Sequence, residues 1–158
     1  MNNTIVGNSA PGPSGSDQGG GISLDLVTNN LILANNVVAF DSGGIYRTPN
    51  TMTPAVFRNN CVTNPVNYVN LSPGAGDINT DPQFVNRAGG DFHLLGASPC
   101  IDSGKAQNAP LIDRDGVARP LDGNDDGLAA FDIGAYEYVN PFADTDHDGI
   151  ADQAKQRK

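Results

Sequence analysis

The sequence predicts an all-β fold, a right-handed parallel β-helix of two to three short coils. Three observations predict it. Glycine and proline supply 30 of the 158 residues and asparagine another 18, while only 17% of residues are charged. Such residues are poor in helix interiors and good in tight turns, so short strands win over long helices. The second observation is a repeat: Asn3-Thr4-Ile5-Val6, Asn36-Val37-Val38-Ala39 and Asn60-Cys61-Val62-Thr63 are similar β-prone runs. The third is the doubled asparagines that open these runs. Asparagine tolerates left-handed backbone and can turn one strand sharply into the next. Stacked asparagine side chains can also hydrogen-bond from rung to rung.

The remaining elements follow nearly the same period as the step from Asn36 to Asn60. Gly20-Gly21-Ile22 recurs as Gly43-Gly44-Ile45, one position sooner than that step, and Leu31-Ile32 of the Leu31-Ile32-Leu33 run maps onto Val56-Phe57, one position later. One strand-sized run per segment at a near-constant period is the mark of a solenoid. The first interval, from Asn3 to Asn36, is longer because residues 10–19 read as an inserted flexible loop. An Asn/Gly-rich sandwich without repeats is the alternative. The length suits one domain with a real core.

The formal net charge of −9 argues against nucleic acid and anionic membranes as partners, since both call for basic patches. No apolar run is long enough to span a membrane. Acid is unevenly placed: only Asp17, Asp25 and Asp41 precede Asp77, where the rest of the acidic residues begin. The N-terminus shows neither a basic segment nor an apolar one of signal-peptide type. Cys61 and Cys100 each sit in an apolar, strand-like context, and the sequence leaves open buried thiols or a disulfide.

Two acidic loops carry the clearest chemistry. In Asp144-Thr145-Asp146-His147-Asp148-Gly149-Ile150-Ala151-Asp152, carboxylates at every second position precede a glycine that permits a sharp reversal. Ca²⁺ takes about six to eight oxygens, and a DxDxDG loop supplies them from alternate positions. The expected ligands are Asp144, Asp146, Asp148, the carbonyl of Ile150, and Asp152 directly or through water. The closing Glu of an EF-hand is replaced by Lys155, which leaves one side open. Asp122-Gly123-Asn124-Asp125-Asp126-Gly127 is a second, shorter loop, with Asp122, Asn124 and Asp126 as expected calcium ligands and Asp132 nearby. A solvated acidic turn is the competing reading of each.

From residue 76 onward an ordered series of motifs appears: Asp81-Pro82-Gln83-Phe84, Gly90-Asp91-Phe92-His93-Leu94, Ser98-Pro99-Cys100-Ile101-Asp102, Asp113-Arg114-Asp115-Gly116 with Arg119-Pro120, and Asp132-Ile133-Gly134-Ala135-Tyr136-Glu137-Tyr138. This series resembles the C-terminal end of secreted bacterial right-handed β-helix proteins of the pectate-lyase-like superfamily, over roughly residues 20 to 140. The resemblance implies a structural role for most of these residues, in an irregular last coil and a cap over the open core. It also implies an extracellular or cell-surface setting. Residues 1–76 are then Asn/Gly-rich coils, 77–140 the terminal coil and cap, and 141–158 an acidic calcium-binding tail. The coils are few for such a protein, which a fragment, a homo-oligomer covering the N-terminal edge, or an unusually short variant would each explain.

Catalytic residues are not evident. Phe40-Asp41-Ser42-Gly43-Gly44 and Gly96-Ala97-Ser98-Pro99-Cys100 look only superficially like nucleophile segments, and the second lacks the closing glycine of a nucleophile elbow. His147 reads as a solvent-facing filler of its loop and His93 as a structural residue. Arg47 and Arg58 have no carboxylate cluster beside them, so a polysaccharide lyase is not supported. Two readings remain. One is a calcium-binding β-helix domain of an extracellular bacterial protein, acting as a structural or carbohydrate-contacting module. The other is a Ca²⁺-dependent hydrolase of a glycan or of a small ester or lactone, such as an acyl homoserine lactone, its open calcium site polarising the carbonyl.

Overall fold

The computed structural model describes residues 1–10, 20–25, 31–49 and 56–143. Its first half is a three-sided parallel coil. One side stacks β1 (Thr4–Val6), β4 (Val37–Ala39) and β7 (Cys61–Thr63); a second stacks β2 (Ile22–Leu24), β5 (Ile45–Arg47) and β8 (Tyr68–Val69); the third pairs β3 (Ile32–Ala34) with β6 (Val56–Arg58). All these pairings are parallel and in register, with Thr4 beside Val37 and Val37 beside Cys61. The chain is therefore an all-β parallel solenoid, as its repeats predict. A further partial turn adds isolated bridges from Arg58 to Ala75 and from Cys61 to Ile78.

One offset is corrected. Val56 pairs with Ile32 and not with Leu31, Phe57 pairs with Leu33, and Arg58 with Ala34, so this wall keeps the same step as Asn36 to Asn60. Core packing selects it. Leu33 and Phe57 both join the interior cluster, and a slip of one position would turn each strand's side chains to the opposite face.

The doubled asparagines divide two tasks. Asn2, Asn35 and Asn59 take left-handed backbone, with φ of 52°, 53° and 50°. Each thereby turns the chain into the next strand of the β1–β4–β7 wall, a conformation asparagine accepts more readily than most residues. The second asparagines form a ladder. Asn3 Nδ2 donates to Asn36 Oδ1 (3.0 Å), Asn36 Nδ2 to Asn60 Oδ1 (2.9 Å), and Asn60 Nδ2 to Asp77 Oδ1 (3.1 Å). The same oxygens also accept the backbone N–H of Asn3, Asn36 and Asn60. Asn36 and Asn60 are buried, so this pairing satisfies groups that water cannot reach.

Beyond residue 80 the chain becomes irregular. β9 (Phe84–Asn86) and β10 (Asp91–Leu94) form a short antiparallel pair around a 3₁₀ turn at Arg87–Gly89. The irregular C-terminal region is present as expected. It covers the outer face of the β1–β4–β7 wall and runs back to the first coil. Val38 and Val62 point into the coil with Leu24, Leu33 and Ile45. Their neighbours Val37, Ala39 and Cys61 point outward and pack with Phe84, Leu94, Cys100, Ile101 and Ile133. Strand β4 is thus buried on both faces, which is why Val37-Val38-Ala39 is apolar without alternation.

The left-handed asparagines fasten this wrap. Asn59 Nδ2 donates to Ser103 O (3.1 Å), Asn35 Nδ2 to Lys105 O (2.8 Å), and Asn2 Nδ2 to Asp132 O (3.1 Å). Gly134 N donates to Asn35 O (2.9 Å) and Ala135 N to Thr4 Oγ1 (3.0 Å). At Gly134 a side chain is excluded twice over. Its φ is +115°, and an added Cβ would sit 3.1 Å from both Thr4 Oγ1 and Val37 Cγ2.

Candidate functional site

The wrap is held by a buried polar network built from the motif residues. Arg119 and Glu137 are almost fully buried and face each other with Nε 3.2 Å from Oε2. Arg119 also donates to Gly134 O through Nη2 (3.1 Å). Glu137 accepts from Leu121 N and Asp132 N, and Asp113 accepts from the N–H groups of Asp115, Val117 and Glu137. Asp132 accepts from Asp102 N (2.8 Å) and Tyr138 N (2.5 Å). Burial, together with the negative charge of Glu137, pushes the Asp132 carboxyl up to about 7 against the opposing N–H bonds. These residues bond to one another or to nearby backbone, which is the signature of architecture.

The second acidic loop sits on top of this network. Asp122 accepts from Asp126 N (3.1 Å) and Gly127 N (2.7 Å), Asn124 from Asp126 N (2.9 Å), and Asp126 from Leu128 N (2.9 Å). Left-handed backbone at Asp125 and Gly127 makes this tight winding possible. The structure adds a residue that spacing did not suggest. Asp102, from the Ser98–Asp102 motif, accepts from Asn124 N (2.8 Å) and Gly123 N (3.4 Å) at the base of the loop. Burial first, and then the charges of Asp122 and Asp126, hold its carboxyl above the usual range despite those bonds. The loop therefore gathers like charge that a cation would relieve. A carboxylate has about four lone-pair sites, so N–H bonds leave room for a cation on the same oxygens. Among the described residues, however, no group of three or more His, Cys, Asp or Glu stands close enough together to hold a metal ion. The first loop, with Asp144, Asp146, Asp148, Ile150 and Asp152, lies outside the described residues.

His93 is better connected than its sequence context suggests. On β10, its Nδ1 lies 2.6 Å from Asp91 and its Nε2 2.9 Å from Asp115, and its ring packs on Tyr136 with centroids 4.2 Å apart. The bond to Asp91 is the main cause of a raised pKa, with Asp115 adding to it against some desolvation. Asp91 is correspondingly lowered, chiefly by its hydrogen bond to His93. With both ring nitrogens committed, His93 ties β10 to the Asp113–Asp115 turn and has no free nitrogen to act as a base. The Asp91-x-His93 spacing was a usable signal, since i and i+2 share a face of a strand. Asp115, in a separate motif further along the chain, carried none.

A cleft of about 330 Å³ lies beside the wrap, lined by Phe40, Asp81, Gln83, Phe84, Arg87 and Leu95. The Arg87 guanidinium stacks 3.9 Å from the Phe40 ring centre, and Phe84 meets Phe40 edge-on at 6.3 Å. Phe40 and Gln83 both hold left-handed backbone, with φ of 59° and 55°. For a residue as bulky as phenylalanine this conformation is uncommon and strained.

Comparison with known proteins supplies the assignment. A family profile described as "Disaggregatase related" matches residues 26–114, more than half of the chain. The chain belongs to the disaggregatase-related family. The match runs from just before β3 to the Asp113 turn, so this disaggregatase-related domain includes the later coils and the first part of the wrap. No curated protein and no solved structure matches the chain. No helix among the described residues is long and apolar enough to cross a membrane.

Proposed function

We propose that this disaggregatase-related domain is a calcium-supported β-solenoid of the pectate-lyase-like kind, serving an extracellular protein as a structural module that contacts carbohydrate. The observation that carries it is the Asp122–Gly127 loop of Ca²⁺-binding pattern, anchored at its base by Asp102. Asp122, Asn124 and Asp126 would supply side-chain oxygens, and Asp102 would neutralise the ion from below. The tail ligands Asp144, Asp146, Asp148, Ile150 and Asp152 would form a second site by sequence pattern alone. Carbohydrate contact is supported by the Phe40 cleft, which combines aromatic surface with the planar polar groups of Asp81, Gln83 and Arg87. The family name speaks of breaking up aggregates, and a domain that grips an extracellular polymer suits it.

The test is thermal unfolding of the whole chain in calcium and in chelator. At a free calcium concentration about a hundredfold above Kd, the ion adds about 2.7 kcal/mol, a Tm rise of about 5–10 °C. Asp122→Asn with Asp126→Asn should remove the part of the rise due to the second loop, and Asp148→Ala the part due to the tail. A Tm indifferent to chelator would sink the calcium reading. Carbohydrate contact is read separately, as retention on neutral and acidic polysaccharides that Arg87→Ala weakens. Calcium-dependent turnover of a glycan, ester or lactone in the same panel would instead make the chain a hydrolase.

A further inference from the structure

We infer that Cys61 and Cys100 form an oxidative cross-link site, a disulfide that bolts the C-terminal wrap to the coil wall. Cys61 lies on β7, the last strand of that wall, and Cys100 lies in the wrap between Ser98 and Asp102. Both are fully buried, in one apolar cluster with Val37, Ile101 and Ile133. Both are free thiols, and Cys61 is the chief cause of the raised Cys100 thiol, ahead of burial. Cys61 Sγ in turn donates to Thr80 O (3.2 Å). Cys100 is held in place by its own N–H, which donates to Ser98 Oγ (3.1 Å), and Ser98 Oγ donates to Pro82 O (2.6 Å). Two buried thiols in one cluster, carried by two separately anchored elements, are placed for a bond across the seam between coil and wrap.

The chemistry requires an oxidant, and a low-molecular-weight disulfide supplies it. The two thiols lose two protons and two electrons as the sulfur–sulfur bond forms, and oxidised glutathione takes them up to become two thiols. The attacking species is a thiolate. The neighbouring sulfur and burial both push the Cys100 thiol up, and full burial shields both thiols in the closed protein. The bond therefore forms while the wrap is still open, during folding, and is sealed when the wrap closes. In the closed protein the reduced pair resists both alkylation and oxidation.

The experiment refolds the whole chain from denaturant in a glutathione redox buffer and, in parallel, under full reduction. The oxidised product should be a monomer lighter by two hydrogens, with no thiol titratable in denaturant. Because the bond closes the loop from residue 61 to residue 100, its Tm should exceed that of the reduced protein by about 10 °C. Cys61→Ala and Cys100→Ala should each melt at the same temperature in both buffers. If either variant fails to fold, the mass and thiol count of the unaltered chain still decide the matter. Two free thiols after oxidative refolding, disulfide-linked dimers, or a Tm no higher than the reduced form would each overturn the inference.

Discussion

Asn35 and Asn36 are adjacent and chemically identical, yet they do different work. Asn35 holds φ at 53° and exchanges hydrogen bonds with Lys105 through both ends of its amide. Asn36 is a rung of the ladder between Asn3 and Asn60. Substitution should separate the two. Asn36→Ala leaves Asn3 N and Nδ2 without their acceptor and removes one of two donors to the Asn60 oxygen, and should cost about 1–3 kcal/mol in urea unfolding. Asn35→Ala loses the Lys105 bonds and adds about 1–2 kcal/mol of left-handed strain, whereas Asn35→Gly loses the bonds alone. If the Ala and Gly variants at this position are equally stable, backbone strain is not why asparagine stands there.

At the scale of elements, the wrap is where the buried charge lies. Arg119 and Glu137 are matched out of water, and Glu137 also serves two N–H groups of its own segment. Such a pair contributes little over an apolar replacement, but breaking it strands a charge. Arg119→Met should therefore destabilise by about 3–5 kcal/mol, measured by denaturant unfolding. Amides of the wrap such as Gly134 should lose protection from hydrogen exchange before those of the inner coil such as Ile45. Equal loss at both would mean that wrap and coil unfold as one unit. His93 is a weaker fastener: its ring is half exposed, and ion pairs at such positions contribute only up to about 1 kcal/mol.

For the molecule as a whole, the titrating groups lean one way, Asp91 excepted. Burial raises Asp132 to about 7 and also raises Glu137, and carboxylate partners raise His93. A carboxyl with a raised folded pKa binds more protons folded than unfolded. Its folded state is therefore favoured on acidification and loses ground as pH climbs from its unfolded to its folded pKa. His93 acts in the same sense, since its contribution is present below its unfolded pKa and lost as pH rises through its folded one. Relief of the −9 net charge adds to both. Without calcium, stability should rise as pH falls from about 8 to about 5, with a slope of up to about 1.4 kcal/mol per pH unit from Asp132 alone. Asp132→Asn should flatten that slope even though it lowers stability overall. A profile that instead peaks near pH 8 would show that these carboxyls titrate normally.

The coil was legible because its information is local and repeated. A doubled asparagine and an apolar triplet recur at a near-constant period within a short window, and parallel stacking follows from that periodicity. The acidic loop at Asp122–Gly127 was legible for the same reason, its oxygens being spaced along one segment. Tertiary structure alone decided the rest. Asn2 meets Asp132, Asn35 meets Lys105, His93 meets Asp115 and Asp102 meets Asn124, pairings that no repeated motif announces. An apolar triplet such as Val37-Val38-Ala39 shows that both faces want burial, but not what covers the outer one. Only the path of residues 84–138 across the wall supplies that cover, and with it the burial of Cys61 and Cys100 in one cluster.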